Sequence, residues 1–230
     1  MDVVYQVDVK LIALRNVEMS VLRSKLTNFI DSALLLDDEW KQFHQQQGPK
    51  GYSYDSLRMQ DSSLVHQDII YVFTIRTVHM QLAEYLQNVL RTHRTDEFQG
   101  LSTNVRMIPK KIIDTLYTQT PAVLYRENGY WVGQMSIADY LTEVSKKLVL
   151  AYNKTYTDKI DENHQFATSI VFQNQKPIAS RYKDIYFLGD KFVLSVKPDA
   201  ISQKLAYFAL GAGILEKTSR GYGFLCYRWL

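Results

Sequence analysis

Histidine is the side chain best suited to moving protons near neutral pH, and this chain carries five: His44, His66, His79, His93 and His164. Their spacing matches no zinc signature, and no His-Glu-x-x-His occurs. A histidine is more often a surface or structural residue than a catalytic one, so its surroundings must discriminate. His44 lies in the polar run 40–51, which contains Gly48-Pro49 and reads as a loop, and Lys50 follows six residues on. An imidazole can act as general acid or base, and a nearby ammonium can stabilise negative charge as it develops.

A second constellation lies near the C-terminus. Two Gly-x-Gly pairs, Gly211 with Gly213 and Gly221 with Gly223, bracket a loop that holds Lys217, Thr218, Ser219 and Arg220. Glycines let a backbone take positive φ and approach another chain closely. Exposed amides beside Lys and Arg make a cradle for phosphates. The segment follows a helix and leads into a strand, which excludes a dinucleotide-binding turn, and it is not a Walker A sequence. Two readings stand at this level: a phosphate cradle, or a long turn whose glycines serve its own geometry.

Regular elements must position both. Residues 3–11 alternate, with Val3, Tyr5, Val7, Val9 and Leu11 on one side and Gln6, Asp8 and Lys10 on the other, the pattern of a half-buried strand. Met19, Leu22, Leu26, Phe29, Ile30, Ala33 and Leu34 form a helical stripe, with Asp37-Asp38-Glu39 marking its end. Strands over 52–59 and 69–76, joined through Asp61-Ser62-Ser63, precede a helix bearing Leu82, Ala83, Leu86, Val89 and Leu90, and a weaker strand at 101–108 completes a β-α-β-β-α-β unit.

The order then repeats. Residues 122–126 and 130–132 flank Asn128-Gly129, a hairpin signal. Ser136 and Asp139 fit a capping box for a helix carrying Ile137, Tyr140, Leu141, Val144 and Leu148. A strand at 166–172 and a hairpin of 185–188 with 192–196 around Gly189-Asp190 follow. Pro198-Asp199 then starts a helix that Gly211 ends, and 224–229 is the last strand. The sequence thus predicts an α+β fold of two tandem ferredoxin-like, RRM-like domains, 1–112 with His44 and 113–230 with the glycine-rich loop. Their boundary falls near 110–118, and with no flexible linker the halves pack closely.

Composition agrees and excludes several classes. Hydrophobic residues make up 46% and charged residues 22% of the 230, ordinary for a globular protein. The net charge of +3 does not by itself select nucleic acid, and sixteen tyrosines suit a binding surface as well as strands. One cysteine, Cys226, excludes an intramolecular disulfide and a cysteine-based zinc site, and fits a reducing, cytoplasmic compartment. Met1-Asp2-Val3-Val4 does not begin a secretory signal, and no apolar stretch approaches the ~20 residues that span a bilayer.

These residues resemble a known family, the CRISPR-associated endoribonucleases of the RAMP superfamily that process repeat transcripts. The family hallmark is a C-terminal glycine-rich loop between the final helix and final strand of a second ferredoxin-like domain. Gly211, Gly213, Gly221 and Gly223 match it, residues 204–227 look similar throughout, and the doubled element order extends the likeness over the chain. The loop between the glycine pairs is slightly longer than the family pattern. Phe43-His44, Gly48-Pro49-Lys50 and Tyr52-Ser53-Tyr54 are similar to the active-site stretch of some members. The resemblance implies that His44 and Lys50 serve RNA cleavage, and that Gly211, Gly213, Lys217, Ser219, Arg220, Gly221 and Gly223 bind RNA. It implies attack by a ribose 2′-hydroxyl, giving 5′-hydroxyl and 2′,3′-cyclic phosphate ends, with neither metal nor cofactor. The partner implied is CRISPR repeat RNA, the precursor crRNA, with effector-complex subunits or a second copy of the chain as further partners and no membrane.

Some members add a tyrosine from the first helix. The matching position here is Asp31, read as a solvated helix residue, so the tyrosine role is absent or falls to Tyr52 or Tyr54. Two other functions compete. A non-catalytic RAMP-type subunit that binds guide RNA would share the fold without a working histidine. A small-molecule enzyme of this fold would need paired carboxylates or a cofactor motif, and the sequence offers neither.

Overall fold

The computed structural model describes residues 3–59, 63–126, 129–182 and 185–230. In chain order the first half contains β1 (Tyr5–Ala13), β2 (Val17–Glu18), α1 (Met19–Leu34), α2 (Asp38–Gln45), β3 (Tyr52–Tyr54), β4 (Leu64–Val65), β5 (Ile70–Thr77), α3 (Met80–Leu90) and β6 (Phe98–Met107). The second contains β7 (Ile113–Thr118), α4 (Ile137–Thr155), β8 (Ala167–Phe172), β9 (Ile178–Tyr182), β10 (Ile185–Gly189), β11 (Phe192–Val196), α5 (Ala200–Ala212) and β12 (Leu225–Trp229). The protein is therefore a mixed α/β molecule whose paired strands run antiparallel.

Alternation along β1 buries Val7, Val9 and Leu11 against the stripe of α1, where Leu22, Leu26, Phe29, Ile30 and Ala33 are buried. That core is closed by Phe73 on β5 and Phe98 on β6, each set edge-on to Phe29. The large sheet of the first half runs β3-β5-β1-β6, and that of the second β12-β7-β11-β8. Omitting the short β2, β4, β9 and β10, each half places its four main strands in the same spatial order. The capping box at Ser136 and Asp139 starts α4 as expected, with Asp139 N donating to Ser136 Oγ at 3.1 Å.

Several elements differ from expectation for identifiable reasons. Residues 40–51 are not all loop: Asp37 accepts from the amides of Glu39 and Trp40, so the acidic run starts α2 rather than only ending α1. Of the strand expected at 52–59 only β3 forms, and in the joining polar stretch Asp61 and Ser62 lie outside the described residues. The second half begins at β7, and 122–126 with 130–132 form no hairpin; Asn128 lies outside the described residues. Instead Trp131 is buried, donating through Nε1 to Asp190 Oδ2 at 2.8 Å. That carboxylate also accepts from Tyr130 and Asn174, so Gly189-Asp190 is a fixed crossing point and not a hairpin turn. Accordingly β10 pairs with β9, and β11 pairs with β7 and β8. Among the described residues, no helix is long and apolar enough to cross a membrane.

The two halves are fastened along α5 and β12. Arg76, only 7% exposed, donates to Gln6 Oε1 at 3.0 Å within its own sheet and to the Leu225 carbonyl at 2.6 Å on β12, beneath the Phe224 ring. Tyr207 on α5 donates to the Ile108 carbonyl and accepts from Val4 N. Gly211 does not end α5; it lies inside the helix, where a methyl group would sit 2.8 Å from Val78 Cγ1 and 3.2 Å from Val4 Cγ1. The helix stops two residues later, at Gly213. Gly211→Ala, which in an ordinary helix would gain up to ~1 kcal/mol, is expected here to lose about 1–3 kcal/mol through overpacking. Urea unfolding checks the sign, and a stabilised variant would mean that α5 does not press on the first half.

Candidate active site

The site is built where the end of α2 meets the turn after α5. Trp40 and Phe43 anchor α2, Trp40 packing on Tyr85 of α3 with ring centroids 5.3 Å apart, and this leaves His44 in the last helical turn. A helix leaves its final carbonyls without partners and carries partial negative charge there, which favours cations. Lys50 supplies one. Its ammonium donates to the carbonyls of Phe43 at 2.5 Å, His44 at 3.0 Å and Gln46 at 2.5 Å, occupying all three protons. Burial, and then repulsion from Arg220, lower the Lys50 pKa from its ordinary value. Lys50 thus grips the helix turn that carries His44.

Asp31, on α1, is not the solvated residue expected from sequence. Its side chain is 18% exposed, its Oδ2 is ion-paired with Arg220 Nη1, and its Oδ1 lies 3.4 Å from His44 Nδ1. One carboxylate therefore touches both the histidine of the first half and the arginine of the second. A charge at a helical position with polar neighbours carries no sequence signal for this; only the fold brings the three together.

Arg220 reaches Asp31 from a 3-10 turn, Thr218–Arg220, flanked by Lys217 and Gly221, both at positive φ. Gly221 is needed there twice over: φ is +77°, and a methyl would lie 2.8 Å from the Tyr54 ring. Gly211, Gly221 and Gly223 are buried against protein and are not among the residues that line the cleft. Of the expected loop residues, Gly213, Lys217, Ser219 and Arg220 do line it.

The cleft has a volume of about 460 Å³ and brings His44 and Lys50 opposite that turn, with Lys147 of α4 on its wall. Lys147 pairs with Glu216 at 2.5 Å, whereas Lys217 is exposed and set over the Phe187 ring. Exposed Tyr125 also lines the cleft, a residue that nothing in the sequence singled out.

The other histidines fall elsewhere. His66 is exposed just after β4, His93 bonds Ser32 Oγ at 2.7 Å, and His164 bonds Ser202 Oγ at 2.9 Å. Burial lowers the pKa of both His79 and His93. Neither tyrosine proposed as a helper reaches the cleft. Tyr52 and Tyr54 are 2% and 1% exposed, the Tyr54 hydroxyl bonds Thr27, and burial raises the Tyr54 pKa above its ordinary value. Among the described residues, no cluster of three or more His, Cys, Asp or Glu side chains could hold a metal ion.

No protein-family model and no curated protein sequence matches the chain. Solved structures do. A CRISPR-associated protein Cas6 superposes with a TM-score of 0.71 at 19% identity, covering 98% of this chain and 99% of its own. A RAMP protein binding different RNA substrates gives 0.71 at 15% identity, covering 97% and 99%. A Cas6-related protein from Pyrococcus furiosus gives 0.69 at 16% identity, covering 98% of each. This chain has the Cas6 fold. At such identities the likeness is one of architecture, and it is the one the glycine-rich tail and the repeated element order implied.

Lys50→Met keeps the aliphatic stem and removes three donors to the end of α2, so it is expected to lower unfolding free energy by about 1–2 kcal/mol. Urea denaturation followed by circular dichroism measures this. An unchanged midpoint would mean that the Lys50 contacts do not hold the helix end.

Proposed function

We propose that this protein is a metal-independent endoribonuclease that cuts CRISPR repeat RNA between two ferredoxin-like units, residues 1–112 and 113–230. One observation carries the reading: His44 shares a single cleft with Lys217, Ser219 and Arg220, which come from the other half of the chain. The shared fold supports it, since the similar structures include a Cas6 and a RAMP protein binding different RNA substrates. The matching strand order of the two sheets supports the division into units.

In this reading the 2′-oxygen attacks the adjacent phosphorus and the 5′-oxygen leaves, giving a 2′,3′-cyclic phosphate and a 5′-hydroxyl. His44 takes the proton from the 2′-hydroxyl or delivers one to the departing 5′-oxygen. Lys217 and Arg220 face the charge that builds on the non-bridging oxygens, while Lys50 acts mainly by holding the His44 turn in place. The glycines set the shape of the turn, and Ser219 and the two cations make its contacts with the RNA backbone. The alternative is a RAMP-type subunit that binds guide RNA without cutting it.

With enzyme in excess over labelled repeat RNA, His44→Ala is expected to slow cleavage by ~10²-fold or more while leaving affinity nearly unchanged, because phosphate contacts dominate binding. EDTA is expected to leave the wild-type rate as it is. Cutting by His44→Ala at the wild-type rate would remove His44 from the chemistry, and tight binding with no cutting by the wild type would favour the guide-binding subunit.

A further inference from the structure

Asp31 is the residue that neither the proposed chemistry nor the family resemblance accounts for, and its two oxygens sit in different circumstances. Oδ2 is ion-paired with Arg220. Oδ1 is shielded from solvent and accepts no hydrogen bond, with His44 Nδ1 at 3.4 Å. A shielded carboxylate oxygen without a donor is costly, and the group facing it here is a ring nitrogen able to carry a proton. The charged groups around His44 are Asp31 from α1, Lys50 at its own helix end, Arg220, Lys217 and Glu216 across the cleft, and Lys147 from α4. Of these, Asp31 forms an ion-pair contact with the imidazole, its Oδ1 lying 3.4 Å from Nδ1.

We propose that Asp31 is the positioning residue for His44: its Oδ1 fixes the tautomer with the proton on Nδ1, so that Nε2 is turned to the cleft for proton transfer, while its Oδ2 holds Arg220 in register. This rests on His44 being the proton-transfer residue. The logic is that of a carboxylate behind a catalytic imidazole, which orients the ring and favours its cationic form without taking the proton itself. It also means that one side chain on α1 sets the spacing between a proton-transfer group from the first half and a phosphate-facing cation from the second.

The test uses the full chain with Asp31→Asn, which is nearly isosteric, and Asp31→Ala, beside His44→Ala. Single-turnover cleavage of labelled repeat RNA is measured across pH, and ¹⁵N NMR reads the His44 ring in the free proteins. Removing a negative charge beside an imidazole disfavours its protonation. Whichever limb of the rate profile His44 governs should therefore move to lower pH in Asp31→Asn. Both Asp31 variants should cleave about tenfold or more slowly, and the wild-type ring should carry its proton on Nδ1, with that preference lost in Asp31→Ala. The ring spectrum needs no activity, so it survives a variant that cuts poorly. If His44→Ala is inactive but the Asp31→Asn profile does not move, or if the wild-type proton sits on Nε2, Asp31 is structural only and the inference falls while His44 keeps its role. If His44→Ala cuts normally, the endoribonuclease site itself is misplaced, and the Asp31 assignment goes with it.

Discussion

Between Tyr54 on β3 and the backbone of Gly221 there is no room for a side chain, since even a methyl would lie 2.8 Å from the ring. The same holds at Gly213, where a methyl would lie 2.9 Å from Ser53 Cβ, and at Gly211 against Val78. Together these contacts press the C-terminal segment onto β3 and the end of β5. The turn at Thr218–Arg220 projects from that seam, and its position relative to α1 and α2 follows from it. Gly211 and Gly221 therefore serve the close packing of the chain, and Gly213 does so while also lining the cleft. They let two folded halves come close enough for a short turn of the second to share a cleft with a helix end of the first.

Electrostatics then shapes what the cleft can accept. Lys50, Lys147, Lys217 and Arg220 crowd into it, and like charges so placed must be balanced for the native state to hold. Glu216 balances Lys147, Asp31 balances Arg220, and the carbonyl end of α2 balances Lys50. Lys217 remains exposed, and Arg220 retains a cleft-facing position beside the histidine. An incoming polyanion therefore meets positive charge already fixed by protein contacts, which keeps the reorganisation needed on binding small.

Much of this was legible in the sequence, and the limits have physical causes. Alternation in β1, the stripes of α1, α3 and α4 and the Ser136 capping box are local signals and led to the right elements. The glycine pairs correctly marked a special turn, but their spacing could not say whether the close approach was to phosphate or to protein. Gly189-Asp190 was read as a hairpin because turn propensity is local, whereas Asp190 is buried in hydrogen bonds with Tyr130, Trp131 and Asn174 from distant segments. The segment 40–51 was read as loop because Asp37 can end one helix or cap the next, and only the packing of Trp40 on Tyr85 decides. His44 and Lys50 stand out in the sequence by motif likeness, and both line the cleft. Asp31 does not stand out, since its partners lie 13 and 189 positions away in the chain.

If this cleft cuts RNA through the substrate's own 2′-hydroxyl, taking that hydroxyl away must stop cleavage without weakening binding. A repeat RNA with a single 2′-deoxy nucleotide immediately before the cleavage point should bind with the affinity of the unmodified RNA and remain uncut. The unmodified RNA should yield a fragment ending in a 2′,3′-cyclic phosphate. Cleavage of the deoxy substrate at a comparable rate, leaving a 3′-hydroxyl end, would require an external nucleophile and would exclude attack by the 2′-oxygen.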